Sequence, residues 1–343
     1  MGILSLKYLP YLLLAIKAKC SKSGFYTRLK LIPFLNLEYS IMANYIWQNG
    51  KLVPFEQATT HVMSHALHYG TGVFEGIRAY QLASGETAVL ALSEHIDRMF
   101  VSSEPIAMKI PYTKEEVCQA VVETVKANAL KSCYIRPLAY YGLPPTKVRV
   151  RPDPKTPVEV IVYSYDMGDY LPDVALDVKI SDFIRLHPQS TAVGAKICGH
   201  YVNSLQALLQ ISGTKYNELI MLDYEGYVSE GSSDNVFMIK DGIIYTPELG
   251  TILTGITRKI VIGLAQDLGY KVVETKIKPE ELYTADEVFF TGTAVEVRAA
   301  GTINDQPIGD GKEGKITQHL KTEYLKICRG ENPKYNHYLT VVK

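Results

Sequence analysis

From residue 142 to residue 157 the sequence carries five prolines, and this stretch can be neither a helix nor an interior strand. Proline has no amide hydrogen to donate and its ring fixes φ, so both hydrogen-bonded ladders fail there. The spacing predicts a long exposed loop between two β-rich runs, 133–141 and 158–163. Loops of this length in compact chains are usually functional or disordered, and this one can form part of a site wall.

On either side, strand and helix patterns alternate. Tyr45 to Trp47, a turn at Asn49-Gly50 and then Leu52-Val53 read as a hairpin. Residues 87–92 read as a strand, after which Ser93 can cap a helix with Ile96, Met99 and Phe100 inward and Arg98 off the apolar stripe. Thr113 caps a second helix with Val117, Ala120, Val121 and Val125 inward. The second half runs strand 176–180, helix 202–211, strand 218–223 and a hairpin, 235–239 with 243–246, about Asp241-Gly242. Ile260, Val261, Leu264, Ala265 and Leu268 form a helical stripe that Gly269 ends, and 287–290 reads as a central strand.

The chain has 343 residues, nearly half of them hydrophobic, enough to bury a sizeable core in two domains. We expect an α+β fold with a small domain over 42–165, an interdomain loop over 166–174 and a large domain over 175–343. The formal net charge is zero, which offers no basic footprint for nucleic acid. The five cysteines contain no Cys-x-x-Cys pair, and an odd number does not close a disulfide framework, so a reducing cytoplasm is expected. Residues 1–41 are basic and acid-poor, with an apolar stretch too short to span a bilayer. They read as a leader outside the fold, with Met42 the working start, and no membrane attachment is expected.

Lys196 lies among small and apolar residues, Gly194-Ala195-Lys196-Ile197-Cys198-Gly199, at a loop-to-helix junction. A lysine crowded in this way favours the uncharged amine, which can condense with an aldehyde cofactor; most single lysines are simply exposed. Thr254-Gly255-Ile256-Thr257-Arg258 opens a helix and can hold a phosphate on free backbone N–H groups, or merely cap that helix. Phe290-Thr291-Gly292-Thr293-Ala294 is a second such turn, so two anion cradles suggest one phosphate and one carboxylate. Arg98 can add a charge-assisted contact to the phosphate. Glu230, in a Gly/Ser-rich turn, can keep a pyridine nitrogen protonated, although an isolated turn acid is commonly solvated. Tyr134 and Arg136 share one strand face and can reach a substrate carboxylate. Gly70-Thr71-Gly72-Val73-Phe74-Glu75-Gly76 has the wrong spacing for a dinucleotide loop, and His61, His65 and His68 lack a partner at metal-ligand spacing, so no metal is expected.

Taken in order, Ser64-His65-Ala66-Leu67-His68-Tyr69-Gly70, Phe74-Glu75-Gly76-Ile77-Arg78, Tyr134-Ile135-Arg136-Pro137, Ala195-Lys196, Ser229-Glu230-Gly231, Gly255-Ile256-Thr257-Arg258 and Gly292-Thr293-Ala294 resemble the branched-chain amino acid aminotransferases. These are fold-type IV pyridoxal-phosphate enzymes, and the resemblance runs from about Tyr45 to the C-terminal region. It implies a two-domain fold with the active site at the domain interface and pyridoxal 5'-phosphate bound covalently to the Lys196 amine. By the same resemblance Tyr201 bonds the cofactor's phenolic oxygen, Glu230 pairs with its ring nitrogen, and Arg98, Ile256, Thr257 and Thr293 hold its phosphate. Thr293, Ala294 and Tyr134 would face the substrate α-carboxylate, Arg136 and Tyr69 the distal carboxylate of glutamate, and Phe74 and Tyr170 the side chain.

The implied reaction is reversible transfer of the amino group of L-leucine, L-isoleucine or L-valine to 2-oxoglutarate by a homodimer or larger homo-oligomer. In it, the loop at 142–157 reaches the neighbouring active site. A D-amino-acid aminotransferase or an aminodeoxychorismate lyase on the same fold is the alternative. His200, Asp234 and Met167 depart from better-known members, where asparagine, glutamate and tryptophan are frequent, which bears on pocket shape.

Overall fold

Asn49 and Gly50 take positive φ angles of 48° and 93°, and between them they fold Tyr45–Gln48 (β1) back onto Lys51–Pro54 (β2) with Gln48 opposite Lys51. This two-residue turn matches the right-handed twist of the strands it joins. It belongs to a computed structural model that describes residues 44–167 and 174–343. The expectations for the leader, for Tyr170 and for most of the 166–174 loop lie outside the described residues.

A short helix, His65–Tyr69 (α1), leads into Gly72–Phe74 (β3), Ile77–Gln81 (β4) and Thr87–Leu90 (β5). Helix Leu92–Ser103 (α2) begins one residue before the expected cap, and no side chain caps it. Ala91 instead turns the chain in a left-handed conformation, φ 51°, and donates its N–H to the Tyr338 carbonyl at 2.6 Å. A carbonyl from the far end of the chain thus fixes the residue that precedes the helix, and Ser93 falls inside the first turn. Thr113 does cap Lys114–Asn128 (α3): its Oγ1 accepts from Glu116 N at 3.2 Å while Glu116 Oε2 accepts from Thr113 N at 2.7 Å. These reciprocal bonds satisfy two of the helix's orphan donors.

Cys133–Tyr141 (β6) and Val158–Tyr165 (β7) flank the proline-rich loop and complete most of the first sheet. Odd-numbered β6 residues, Cys133, Ile135 and Ala139, face Ile96 and Met99 of α2 and Val117, Val121 and Val125 of α3 in one core. Even-numbered residues of β6 face the other way, which leaves Tyr134 and Arg136 for a site.

The second sheet is built from Leu176–Ile180 (β8), Glu218–Leu222 (β9), Val228–Gly231 (β10), Asn235–Lys240 (β11), Ile243–Thr246 (β12), Val272–Glu274 (β13), Glu287–Gly292 (β14), Glu296–Ile303 (β15) and Gln306–Pro307 (β16). Their order is β10-β9-β8-β15-β14-β11-β12-β13, with β16 paired to β15. The run 287–290 is central as expected: β14 lies between β11 and β15, and Phe289 and Phe290 are fully buried. Ile256–Asp267 and Lys315–Cys328, which follow Tyr201–Leu209 among the longer helices of this half, pack their apolar stripes on one face of the sheet. Ile277 and Leu282 cover the other.

The last strand, Leu339–Val341 (β17), returns to the first sheet and pairs antiparallel with β5, giving the order β17-β5-β4-β6-β7-β1-β2 with β3 on β6. Tyr80 and Leu90 of the first sheet also share a core with Phe237 and Phe289 of the second. Among the described residues no helix is long and apolar enough to cross a membrane.

Thr113→Ala removes one half of the capping box on an exposed helix start. It should lower the unfolding free energy by about 1 kcal/mol, read from the urea midpoint at unchanged slope; an unchanged midpoint would assign that helix start to packing alone.

Candidate active site

Lys196 is held by its main chain before its side chain does anything. Its N–H donates to Ser102 Oγ of α2 at 2.9 Å, its carbonyl accepts from Phe74 N of β3 at 3.2 Å, and Ile197 bridges Val73. Just beyond, Gly70 ends α1 with φ 64° and its carbonyl accepts from Gly199 N at 3.0 Å. A Cβ at Gly70 would stand 2.8 Å from Gly199 Cα, so both the angle and the close approach require glycine. The lysine is buried, 9% exposed, and Nζ donates to the Tyr201 hydroxyl at 2.5 Å. It stands 5.0 Å from the ring centres of Phe74 and Tyr201.

This amine opens on a cavity of about 540 Å³ whose walls come from both sheets. Phe74, Tyr134 and Arg136 line it from the first, and Asp234, Thr293 and Ala294 from the second. Arg136 Nη2 donates to the Tyr134 hydroxyl at 2.7 Å and its guanidinium lies 4.5 Å from the Phe74 ring centre, while its buried Nε has no partner. Gly76 makes room for that tyrosine, since a Cβ there would collide with the Tyr134 hydroxyl. An apolar wall beside a cation with a spare donor can take an aliphatic chain or a carboxylate.

A smaller recess of about 40 Å³ adjoins Lys196 and is bordered by Arg98, Gly255, Ile256, Thr257 and Thr293. The helix Ile256–Asp267 starts here with Gly255 extended and with no side-chain cap, so its first N–H groups point out at the positive end of the dipole. Arg98 grips Glu75 through Nε at 2.7 Å and Nη2 at 2.6 Å, and Nη1 donates to the Thr254 carbonyl at 2.9 Å. Glu75 has no solvent exposure, and its Oε2 also accepts from His95 Nδ1 at 2.7 Å. Burial would raise its pKa, but the Arg98 charge and the hydrogen bonds from Arg98 and His95 outweigh that and bring it down to about 2.

Glu230 sits behind this recess on β10, next to a β-bulge-like register shift between Val228 and Glu230 that re-aims the strand. It is buried, not a solvated turn acid. Oε1 accepts from Arg185 Nε at 2.5 Å, and Oε2 accepts from Leu253 N at 3.0 Å and Asn235 Nδ2 at 3.3 Å.

The comparisons with known proteins agree with one another. The class IV amino-transferase family matches residues 72–303, more than half of the chain. The branched-chain-amino-acid aminotransferase of Pseudomonas aeruginosa is 42% identical over 302 residues, covering 87% of this chain and 97% of its own. That of Escherichia coli K12 is 37% identical over 294 residues, 84% of this chain and 94% of its own. The crystal structure of a branched-chain aminotransferase from the archaeon Thermoproteus uzoniensis with norvaline superposes with a TM-score of 0.83 at 40% identity, over 88% of this chain and 100% of that one. The chain belongs to the branched-chain amino acid aminotransferases.

In this aminotransferase Lys196, Tyr201, Phe74, Tyr134, Arg136, Thr293 and Ala294 converge on the larger cavity, and Arg98, Ile256 and Thr257 on the recess beside it. Tyr69 does not join them: it is 41% exposed at the end of α1, its ring 4.8 Å from that of His65. His65 engages Thr71 Oγ1 and the Arg149 carbonyl, each at 2.7 Å, tying α1 to the proline-rich loop. Among the described residues no cluster of three or more metal-ligating side chains occurs. Of the departures from relatives, His200 braces the segment before Lys196 through Thr191 Oγ1 at 2.6 Å and the Ala195 carbonyl at 3.1 Å. Asp234 is buried in the cavity wall, where burial and then the neighbouring Glu218 charge push its pKa well above the carboxylate range. Met167 borders the same cavity.

Sequence reasoning missed Glu75 and Arg185. Glu75 stood inside a quoted motif, and a buried-carboxylate role needed only its proximity to Arg98; Arg185 lies in an irregular segment with no pattern to flag it.

Because the folded pKa of Glu75, about 2, lies below that of the unfolded chain, its contribution to stability is present above about pH 4.3 and is lost as the pH falls through the folded value. Glu75→Gln should therefore be less stable than the parent chain at neutral pH. The two urea unfolding free energies should draw together as the pH falls below about 4 and meet only near the folded value, about 2; curves that stay parallel would mean that Glu75 is not the ionised partner of Arg98.

Proposed function

We propose that this aminotransferase uses pyridoxal 5'-phosphate to move the amino group of L-leucine, L-isoleucine or L-valine to 2-oxoglutarate, giving the branched 2-oxo acid and L-glutamate. The observation that carries this reading is the buried Lys196 amine, bonded to the Tyr201 hydroxyl, between an anion recess and an apolar cavity that contains Arg136. The donor set fits the cofactor: a helix N-terminus, Arg98 and Thr257 for its phosphate, an amine for its aldehyde and Glu230 for its ring nitrogen. Once bound, the group supplies an aldehyde that accepts the amino group and a ring that draws electrons from the substrate Cα.

The remaining work falls to the chain's own residues. The Lys196 amine would hold the cofactor, and its Nζ, when free, would take the substrate Cα proton as general base. Tyr201, in hydrogen-bond contact with that Nζ, orients it. Glu230 is kept in place by Arg185, Asn235 and the Leu253 N–H, and this fixed carboxylate would pair with the ring nitrogen. Thr293, Ala294 and Tyr134 would take the α-carboxylate. Phe74 would pack on the branched side chain, and Arg136 would take the distal carboxylate of glutamate in the same cavity. Tyr170 remains proposed for the side-chain pocket.

We also propose a cytoplasmic homodimer whose two domains divide at 166–174, each built on one of the two sheets, with the second domain lending strand β17 to the first sheet. Val62 and Leu67 near α1, and Val202, Leu205 and Leu209 on the helix Tyr201–Leu209, are each more than half exposed, an apolar surface of the kind that a second copy covers. Tyr69, outside its own cavity, would then serve as a substrate contact through the partner, together with the loop at 142–157.

With 2-oxoglutarate as acceptor, the three L-branched amino acids should yield glutamate and D-alanine should not. Activity confined to D-alanine would overturn the substrate assignment. Lys196→Ala should lower turnover by a factor on the order of 10³ or more without unfolding the protein. Light scattering should give a dimer mass, and Leu205→Glu should shift it toward the monomer; a parent chain already monomeric at micromolar concentration would refute the assembly.

A further inference from the structure

Arg98 carries five N–H donors, and its neighbours take three of them: Glu75 accepts two and the Thr254 carbonyl one. Two remain for a ligand in the recess that Arg98 borders. The guanidinium is thus fixed from two directions, by a carboxylate beside β3 in the first sheet and by a carbonyl leading into the helix Ile256–Asp267 over the second. Glu75 is in turn over-determined, because Oε2 also accepts from His95 of the same helix as Arg98. No part of this cluster except Arg98 borders either cavity near Lys196.

Electrostatically the arrangement is costly for an anion site. A buried carboxylate paired two-to-two with the arginine cancels the positive charge that a phosphate would otherwise meet. If Arg98 served as a point charge, Glu75 would oppose binding. A benefit remains only if the guanidinium's direction matters more than its net charge, as expected for a planar fork that bonds oxyanions at set angles.

We propose that Glu75, braced by His95, is a positioning residue that aims the free donors of Arg98 at the cofactor phosphate. The inference rests on the pyridoxal-phosphate reading of the site and adds to it a residue that touches neither cofactor nor substrate.

The test is equilibrium titration of the cofactor-stripped full chain with pyridoxal 5'-phosphate and, separately, with pyridoxal, which lacks the phosphate. Glu75→Gln should weaken binding of the phosphate form roughly tenfold to a hundredfold and leave pyridoxal binding within about twofold. In an Arg98→Gln background the same substitution should add nothing further. An unchanged or increased affinity for the phosphate form, the outcome for a simple point charge, overturns the proposal. So does an equal loss for both ligands, which would mark a merely structural role. If Glu75→Gln does not fold, Glu75→Asp, which keeps the charge but withdraws it by one carbon, must show the same selective loss. A parent chain that binds neither ligand would instead sink the cofactor reading itself.

Discussion

The site depends on one short piece of main chain being held still. Lys196 is anchored by Ser102 on one side and Phe74 on the other, so its amine projects from a fixed base. Both anchors belong to the first half of the fold, whereas Glu230, Thr257 and Thr293 belong to the second. A long lysine side chain has considerable rotamer entropy to lose, and fixing its backbone and giving Nζ a hydroxyl partner lowers that loss before any ligand arrives. Catalytic geometry of this kind tolerates little misplacement.

Around this point the protein buries charge in pairs. Glu75 has Arg98, and Glu230 has Arg185, with side chains on both sides of each pair mostly removed from water. Buried pairs of this sort are weak sources of stability, because desolvation offsets most of the attraction. Their retention next to the site is better understood as orientation: each acid is fixed by several donors, and each arginine is fixed by an acid. Asp234 differs: burial and then the Glu218 charge push it toward the protonated form in the cavity wall, against the opposing pull of the Lys196 charge. The same cavity therefore contains an ionised arginine and a carboxyl group that resists ionisation.

Much of the fold could be read from local pattern. The Asn49-Gly50 and Asp241-Gly242 turns both have positive φ at each residue, a conformation that those residue types accept readily. Thr113 caps its helix through the box that Glu116 completes, because both partners are three residues apart. Ser93 had an equally good local claim, yet it lies inside the helix that starts at Leu92, and the preceding Ala91 is tied to the Tyr338 carbonyl from the other end of the chain. Strand β17 was invisible for a related reason: three residues pairing across the whole chain leave no periodic trace.

The site divides in the same way. Sequence alone determined which chemistry was available: a lysine among small residues, two Gly-Thr turns for anions, and Tyr134 and Arg136 on one strand face, because spacing and residue type decide those locally. Only tertiary structure decided that Glu230 faces Arg185, that Glu75 aims Arg98, and that Tyr69 stands outside the cavity its neighbours line. Those outcomes depend on which distant groups meet in a low-dielectric interior, where one donor or acceptor sets a side chain's direction, and no local pattern encodes that meeting.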